Sequence, residues 1–291
     1  MLSVRAVRAT VVNAPSSGKA GVVPEGDTVF QTAARLHAAL AGRTLTRCDI
    51  RVPRYATVDL TGRTVDEVVA RGKHILIRIG QRTIHSHLKM EGLWFVGARN
   101  ARWPRPSYQC RIIVEVESAA AVGFALGKLE VISGVGEKSA IGPLGPDLLG
   151  PDWDADVALT NLLSRPDREI GHALLDQSNL AGIGNVYRCE LCFIHRTHPA
   201  TPVGQIDDLD SWVESARALL VANRDHPTRL TTGVDRRGKQ LWVYGRDRRA
   251  CLRCGASIKS GGLGGATEYD RLIYWCPTCQ PAAAGAPHLP G

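Results

Sequence analysis

Asp176-Gln177-Ser178-Asn179-Leu180-Ala181-Gly182-Ile183-Gly184-Asn185 is the stretch on which the fold of this chain turns. Its polar start and its two closely spaced glycines read as a turn between two helices. By itself the stretch also describes a plain helical hairpin. Around it, residues 153–222 read as helical, with Ser164 capping a helix that Pro166 opens. Upstream, Gly142-Pro143-Leu144-Gly145-Pro146 and then Gly150-Pro151 mark an inter-domain linker. Before the linker, residues 44–132 are β-rich. Ile75, Ile77 and Ile79 alternate with Leu76 and Arg78, and Ile113-Val114-Glu115-Val116-Glu117 forms another short strand. Val29, Ala33, Leu36 and Leu40 repeat at helical spacing from Asp27, and Gly42 closes that helix.

The 291 residues suffice for two modest domains, and 44% apolar with 22% charged residues exclude a disordered polyelectrolyte or a collagen-like chain. No apolar run approaches the roughly 18–20 residues that span a bilayer. The net charge of +8 is concentrated. Residues 1–23 contribute +3, residues 233–280 contribute +5, and the intervening segment holds 24 charges of each sign. A basic segment of that kind suits a polyanion partner and equally a solvated surface. Residues 1–23 lack a continuous apolar core and so do not read as a secretory signal; being acid-free and Arg-containing, they share the composition of organellar transit peptides. Residues 281–291 are rich in Ala, Pro and Gly and read as a disordered tail.

Eight cysteines are too few for a disulfide-built scaffold of this length, which points to a reducing compartment. Four of them form two matched pairs, Cys251-x-x-Cys254 and Cys276-x-x-Cys279, separated by 21 residues. Each pair can sit on a tight knuckle that aims two thiolates at one point, as tetrahedral zinc requires. Four thiolates and a divalent ion sum to −2, leaving the loaded segment at about +3. Cys189-x-x-Cys192 followed by His195 and His198 is a decoy, because three-residue steps drift around a helix and buried helix cysteines are common. His85-x-His87 reads as strand decoration.

Four segments recur in a recognisable order: Pro24-Glu25-Gly26, Arg71-Gly72-Lys73, the turn quoted above, and Arg271-Leu272-Ile273-Tyr274-Trp275-Cys276-Pro277-Thr278-Cys279-Gln280. Together they resemble the formamidopyrimidine-DNA glycosylase/endonuclease VIII family of base-excision repair enzymes, and the ending is more similar to the bacterial endonuclease VIII branch. The resemblance implies an α+β fold of two domains. An N-terminal β-sandwich with flanking helices (24–145) precedes a helix–two-turns–helix domain (146–232) with a β-hairpin zinc finger (233–280), and DNA lies in the cleft. It implies Pro24 as the nucleophile that forms a Schiff base with the sugar, and Glu25 as the acid/base that protonates the ring oxygen. An α-amino group titrates near ~8, far below a lysine at ~10.4, so it is a better neutral-pH nucleophile. Lys73 corresponds to the lysine that serves β-elimination, and Arg271 to the finger arginine that clamps phosphates and serves δ-elimination. Asn185, Gly182 and Gly184 correspond to the phosphate-binding turn, where bare backbone admits a phosphate and the next helix offers free amides. Met90, in His87-Leu88-Lys89-Met90, corresponds to the residue that fills the gap left by the flipped nucleotide; it also reads as a core methionine. The family's other gap-filling residues find no match, which implies a shortened loop.

An amidated proline cannot be that nucleophile. Val23 precedes Pro24, and a GTG codon initiates with methionine, so translation is expected to begin at position 23 and the leader 1–23 to be missing from the mature protein. The expected function is a bifunctional DNA glycosylase and AP lyase that removes oxidised bases, pyrimidines above all. Its expected partner is double-stranded DNA with damaged bases or abasic sites, and it carries one structural Zn2+. It is read as a monomer of the bacterial cytoplasm, associated with the nucleoid through DNA. The alternatives are a non-catalytic damaged-DNA-binding zinc-finger protein, should the leader be retained, and an RNA-binding zinc-ribbon protein.

Overall fold

The computed structural model describes residues 10–11, 23–263 and 272–282. They fall into two compact units: Thr28–Pro143 with Pro24 and the residues before it, and Leu144 onward with Glu25–Asp27. The three residues Glu25–Asp27 thus pack with a unit that begins more than a hundred positions later.

In the first unit, helix α1 (Gly26–Leu40) places Val29, Ala33, Leu36 and Leu40 on one buried stripe, as its spacing dictates. A five-stranded antiparallel sheet runs β1 (Thr10–Val11), β6 (Leu93–Gly97), β8 (Ala119–Phe124), β7 (Cys110–Val116), β2 (Arg47–Ile50). A four-stranded antiparallel sheet runs β3 (Glu67–Arg71), β4 (His74–Ile79), β5 (Arg82–His87), β9 (Lys128–Ser133), and helix α2 (Gly134–Ile141) follows it. The core is shared by Ile75, Ile77, Ile79 and Ile84 of one sheet, Trp94, Ile112, Val114 and Val116 of the other, and the α1 stripe. Trp94, fully buried, donates its indole N–H to Ser86 Oγ at 3.1 Å, tying the two sheets polar-to-polar. The opposite face of the larger sheet buries Leu93, Phe95, Ile113, Val122 and Phe124. Cys110 joins that second face, although parity would send it to the core, because a register shift between Cys110 and Ile112 inserts one residue.

The second unit contains α3 (Ala155–Leu163), the single turn α4 (Ile170–Ala173), α5 (Asn185–Ile194) and α6 (Leu209–Arg224), then a two-stranded hairpin of β10 (Lys259–Gly261) and β11 (Ile273–Trp275). Helix α5 is buried on two sides. Tyr187, Leu191 and Cys192 enter the helical core with Trp212 and Leu220, whereas Cys189 and Phe193 pack with Ile258, Ile273 and Trp275 of the hairpin region.

One expectation is corrected. Ser164 does not open a helix; it ends α3, its hydroxyl bonded to the Asn161 carbonyl at 2.6 Å. Asp154 is the N-cap there, accepting from the Val157 amide, and Pro166 lies in the turn that follows. No helix among the described residues is long and apolar enough to cross a membrane.

Candidate active site and metal centre

The turn before α5 is built by its own side chains. Gln177 donates to the carbonyls of Leu175 and Ile183 (2.8 and 3.0 Å) and accepts from the Gly182 amide (3.1 Å), closing the loop on itself. Asp176 accepts from the Ser178 amide and hydroxyl and pairs with Arg168 at 2.6 Å. Burial opposes the Asp176 charge, but Arg168 and Ser178 outweigh it and hold the carboxyl at about 2. Gly182 takes φ +114, a backbone that only glycine adopts without strain.

What the turn holds is Glu25. The carboxylate is completely buried and accepts from the amides of Gly184 (2.9 Å), Val186 (2.7 Å) and Tyr187 (3.3 Å). It therefore caps α5 from a distant part of the chain and meets the positive end of that helix. Those three amides are taken by Glu25 instead of being open to a phosphate. A Cβ on Gly184 would stand 2.5 Å from the Glu25 carboxyl carbon, so glycine there makes room for the acid. The Gly26 amide adds a bond to the Gly182 carbonyl at 2.9 Å.

Two residues on, Asp27 receives the Tyr187 hydroxyl at 2.8 Å and a two-pronged pair from Arg229 at 2.7 and 2.5 Å. Arg229 also lies over the Tyr187 ring, 5.0 Å from its centroid. Burial opposes the Arg229 charge, yet Asp27 more than compensates, raising its pKa; burial and then Asp27 raise that of Tyr187. Neither Asp27 nor Arg229 was singled out from sequence, since nothing local links positions 27 and 229.

Asn185 opens α5. Its side-chain amide donates to the Leu272 carbonyl at 2.9 Å, and its oxygen accepts from Arg188. Asn185 thus grips the residue next to Arg271, which itself lies outside the described residues. Glu190, also missed from sequence, is buried on α5 and accepts from the amides of Trp242, Val243 and Tyr244 at 2.7–2.9 Å and from the Thr231 hydroxyl. It fastens the segment leading into the hairpin.

Cys251, Cys254, Cys276 and Cys279 converge, with all four sulfurs within 4.8 Å of one another. Cys251–Cys279 and Cys254–Cys276 are 4.0 and 3.4 Å apart, close to the ~3.8 Å edge of a tetrahedron whose sulfurs lie about 2.3 Å from zinc. The Arg253 and Cys279 amides point at the sulfurs of Cys251 and Cys276, at 3.4 Å each, which is how knuckle turns orient thiolates. A backbone donor at Ala256 lowers the Cys254 thiol to about 7, while burial and the neighbouring thiols push Cys279 up to about 12. A divalent cation would remove that conflict by taking all four as thiolates. This is the only such cluster among the described residues. Cys189 and Cys192 are buried helix residues, and Cys189 accepts from the Tyr274 amide at 3.5 Å.

In the first unit, Lys73 occupies a two-residue turn between β3 and β4, with Gly72 at φ +56 and Arg71 paired to His74 across it. His74 pairs with His87, so the turn with Lys73, the loop with Met90 and the short Ala125–Gly127 connection gather at one end of the four-stranded sheet. Met90 is 58% exposed, which removes the core reading for it. The Lys89 stem lies over Gly127, where a Cβ would meet it at 2.5 Å. His74, His85 and Glu130 are linked there by hydrogen bonds of 2.7 and 2.8 Å, so the strand histidines are more than decoration.

Residues 23–125 match the model of the formamidopyrimidine-DNA glycosylase N-terminal domain, and residues 144–221 match that of the formamidopyrimidine-DNA glycosylase H2TH domain. A probable endonuclease 8 2 of Streptomyces coelicolor is 54% identical over 269 residues, covering 91% of this chain and 96% of its own. The DNA-(apurinic or apyrimidinic site) lyase Nei2 of Mycolicibacterium smegmatis is 52% identical over 261 residues, covering 90% and 100%. In fold, the chain is similar to the Lactococcus lactis formamidopyrimidine-DNA glycosylase, solved bound non-covalently to DNA containing an AP site. That likeness has a TM-score of 0.73 at 22% identity and covers 89% of this chain and 100% of that one. With its sandwich, its closed double turn and its four-cysteine hairpin, the chain belongs to the formamidopyrimidine-DNA glycosylase/endonuclease VIII family.

Proposed function

We propose that this protein is a base-excision repair DNA glycosylase with AP lyase activity, acting through the amine of Pro24 on double-stranded DNA with oxidised bases or abasic sites. The observation that carries this reading is the seat of Glu25, a buried acid held by three amides of α5 immediately after the proline. A carboxyl so fixed stays beside an amine that becomes nucleophilic once it is the chain terminus. Attack at the sugar carbon expels the damaged base. Glu25 protonates the ring oxygen as the sugar opens, and the iminium so formed acidifies the neighbouring carbon. Lys73 and Arg271 then serve the successive β- and δ-eliminations of the flanking phosphates. Met90 stands exposed, as a wedge into the emptied stack requires. Asn185 steadies the finger strand beside Arg271. Relatives named endonuclease 8, at 51–54% identity, support placing the chain with the endonuclease VIII branch, and oxidised pyrimidines are the lesions we assign to it on that resemblance.

The acting form begins at Pro24; the N-terminal family match starts one residue earlier, at 23. One zinc bound by Cys251, Cys254, Cys276 and Cys279 has a structural task, holding the basic finger against α5. The protein works as a monomer in the bacterial cytoplasm.

Borohydride trapping tests the reading. A chain beginning at Pro24 yields a stable covalent adduct with abasic-site DNA, and the form beginning at Met1 does not, because its proline nitrogen is an amide. Equal trapping by an unclipped Met1 form overturns it. Glu25→Gln lowers base release from intact lesions by ~10²–10⁴-fold, and trapping at a pre-formed abasic site, where the aldehyde already exists, by less.

A further inference from the structure

Five residues join the end of β5 at His87 to the start of β6 at Leu93, and they form a pinned turn. Leu88 is completely buried in the core shared by the two sheets. The Gly92 amide donates to the Leu88 carbonyl at 2.8 Å and closes the turn; a Cβ at Gly92 would stand 2.4 Å from that oxygen. Between these buried ends Lys89, Met90 and Glu91 are exposed.

The turn demands a rare backbone at its first exposed residue. Lys89 takes φ +52, the left-handed region that a side chain disfavours and that glycine enters without strain. Two contacts hold it there. Its stem lies against bare backbone, where a Cβ on Gly127 would meet the Lys89 Cγ at 2.5 Å and Cβ at 2.7 Å. Its amide donates to His87 Nδ1 at 2.9 Å. This second contact is the bond that an asparagine or aspartate makes to the amide two residues on, which fixes tight turns. From a histidine it requires Nδ1 to be a lone pair. Burial, reinforced by His74 and the ammonium groups of Lys73 and Lys89, keeps the His87 ring neutral down to about 3. His74, its cross-strand partner, packs edge-on against the ring with centroids 5.2 Å apart. A methionine side chain is unbranched and flexible, so the direction of a methionine wedge has to come from the backbone beneath it. A turn already ordered loses no further freedom when the wedge goes in.

We propose that His87 is a positioning residue for Met90: by accepting the Lys89 amide it holds the left-handed turn that presents the methionine to the gap left by the flipped nucleotide. The proposal rests on the gap-filling role given to Met90 above.

The test uses the chain from Pro24 with two variants. His87→Phe keeps a ring without an acceptor, and His87→Asn puts its side-chain oxygen in the place of Nδ1. In amide hydrogen exchange followed by NMR, the Lys89 amide exchanges at least about tenfold faster in His87→Phe than in wild type, and His87→Asn restores its protection. Base release from an intact lesion falls about tenfold in His87→Phe, the loss of one hydrogen bond in the turn. Elimination at a pre-formed abasic site, where no base pair has to be opened, falls by about twofold at most. His87→Asn recovers most of the rate, which separates the effect from misfolding. In Lys89→Gly, whose backbone enters the left-handed region freely, and in Met90→Ala, which has no wedge to aim, His87→Phe has little further effect on base release. An unprotected Lys89 amide in wild type, no rescue by His87→Asn, an equal loss on both substrates, or an undiminished loss in the Met90→Ala background overturns the proposal. If Met90→Ala alone releases base at the wild-type rate, the gap-filling role falls and takes the proposal with it. The exchange rates, measured without DNA, tell that failure apart from a failure of the turn.

Discussion

An alanine at Gly184 would bring its Cβ within 2.5 Å of the Glu25 carboxyl carbon, although the backbone there, at φ −123 and ψ −160, suits any residue. Gly184→Ala is therefore a purely steric probe of the acid's seat. It is expected to reduce base release at least ~10-fold and to lower stability by about 1–3 kcal/mol, read by a lesion-duplex assay and a thermal melt. The strand histidines carry a pH signature. Burial, reinforced by neighbouring positive charge, lowers His74 to about 4 and His87 to about 3, against 6.5 for a free histidine. The unfolded chain binds these protons first as pH falls, so stability is intact above about 6.5 and declines from there toward about 4 and below. His74→Gln should flatten the fall in Tm between pH 6.5 and 4; an unchanged slope would refute this assignment. At this scale the convergence of the cysteine pairs was legible, because their signal is local. The partners of Glu25, Asp27 and the histidines were not. Glu25 is satisfied by amides of residues 184–187, Asp27 by Arg229, and the histidine chain by strands whose pairing no short motif announces.

Helix α5 joins the turn, the helical core and the finger, because residues four apart share a face: Cys189 with Phe193 on one side, Tyr187 with Leu191 on the other. The finger's short strands, three residues each, cannot form a core alone; they lean on α5 and on the four-cysteine cluster, where the proposed zinc would tie them together. One zinc per chain is expected by metal analysis. Cys276→Ser should lose it and abolish DNA binding in a gel-shift assay, while residues 28–143, with their own core, stay folded. Folded, active protein without zinc would refute the structural-metal reading. The sandwich and the finger were legible as elements because alternation and cysteine spacing are periodic signals. The Ser164 error has a physical source. Serine stabilises either end of a helix by bonding nearby backbone, so its presence marks a boundary without saying which side is helical.

Across the whole molecule the excess positive charge is confined to the N-terminal 23 residues and to residues 233–280. The acting form proposed here keeps only the second. Arg271→Ala should weaken binding to all DNA sequences alike and flatten the salt dependence of affinity by about one unit of slope, measured by titration across ionic strength. Unchanged affinity and slope would reduce Arg271 to a surface charge. The grouping of Glu25–Asp27 with the residues after 144 was invisible in the sequence, where the boundary is marked only by glycines and prolines. That grouping has a meaning in time as well as in space. A ribosome delivers Glu25 almost at once, but Gly184 follows 159 positions later. Until then the acid has nowhere to settle. A nascent or prematurely terminated polypeptide carries the proposed nucleophile with its neighbouring acid unseated, and only a chain that extends past Tyr187 holds the three amides that seat it.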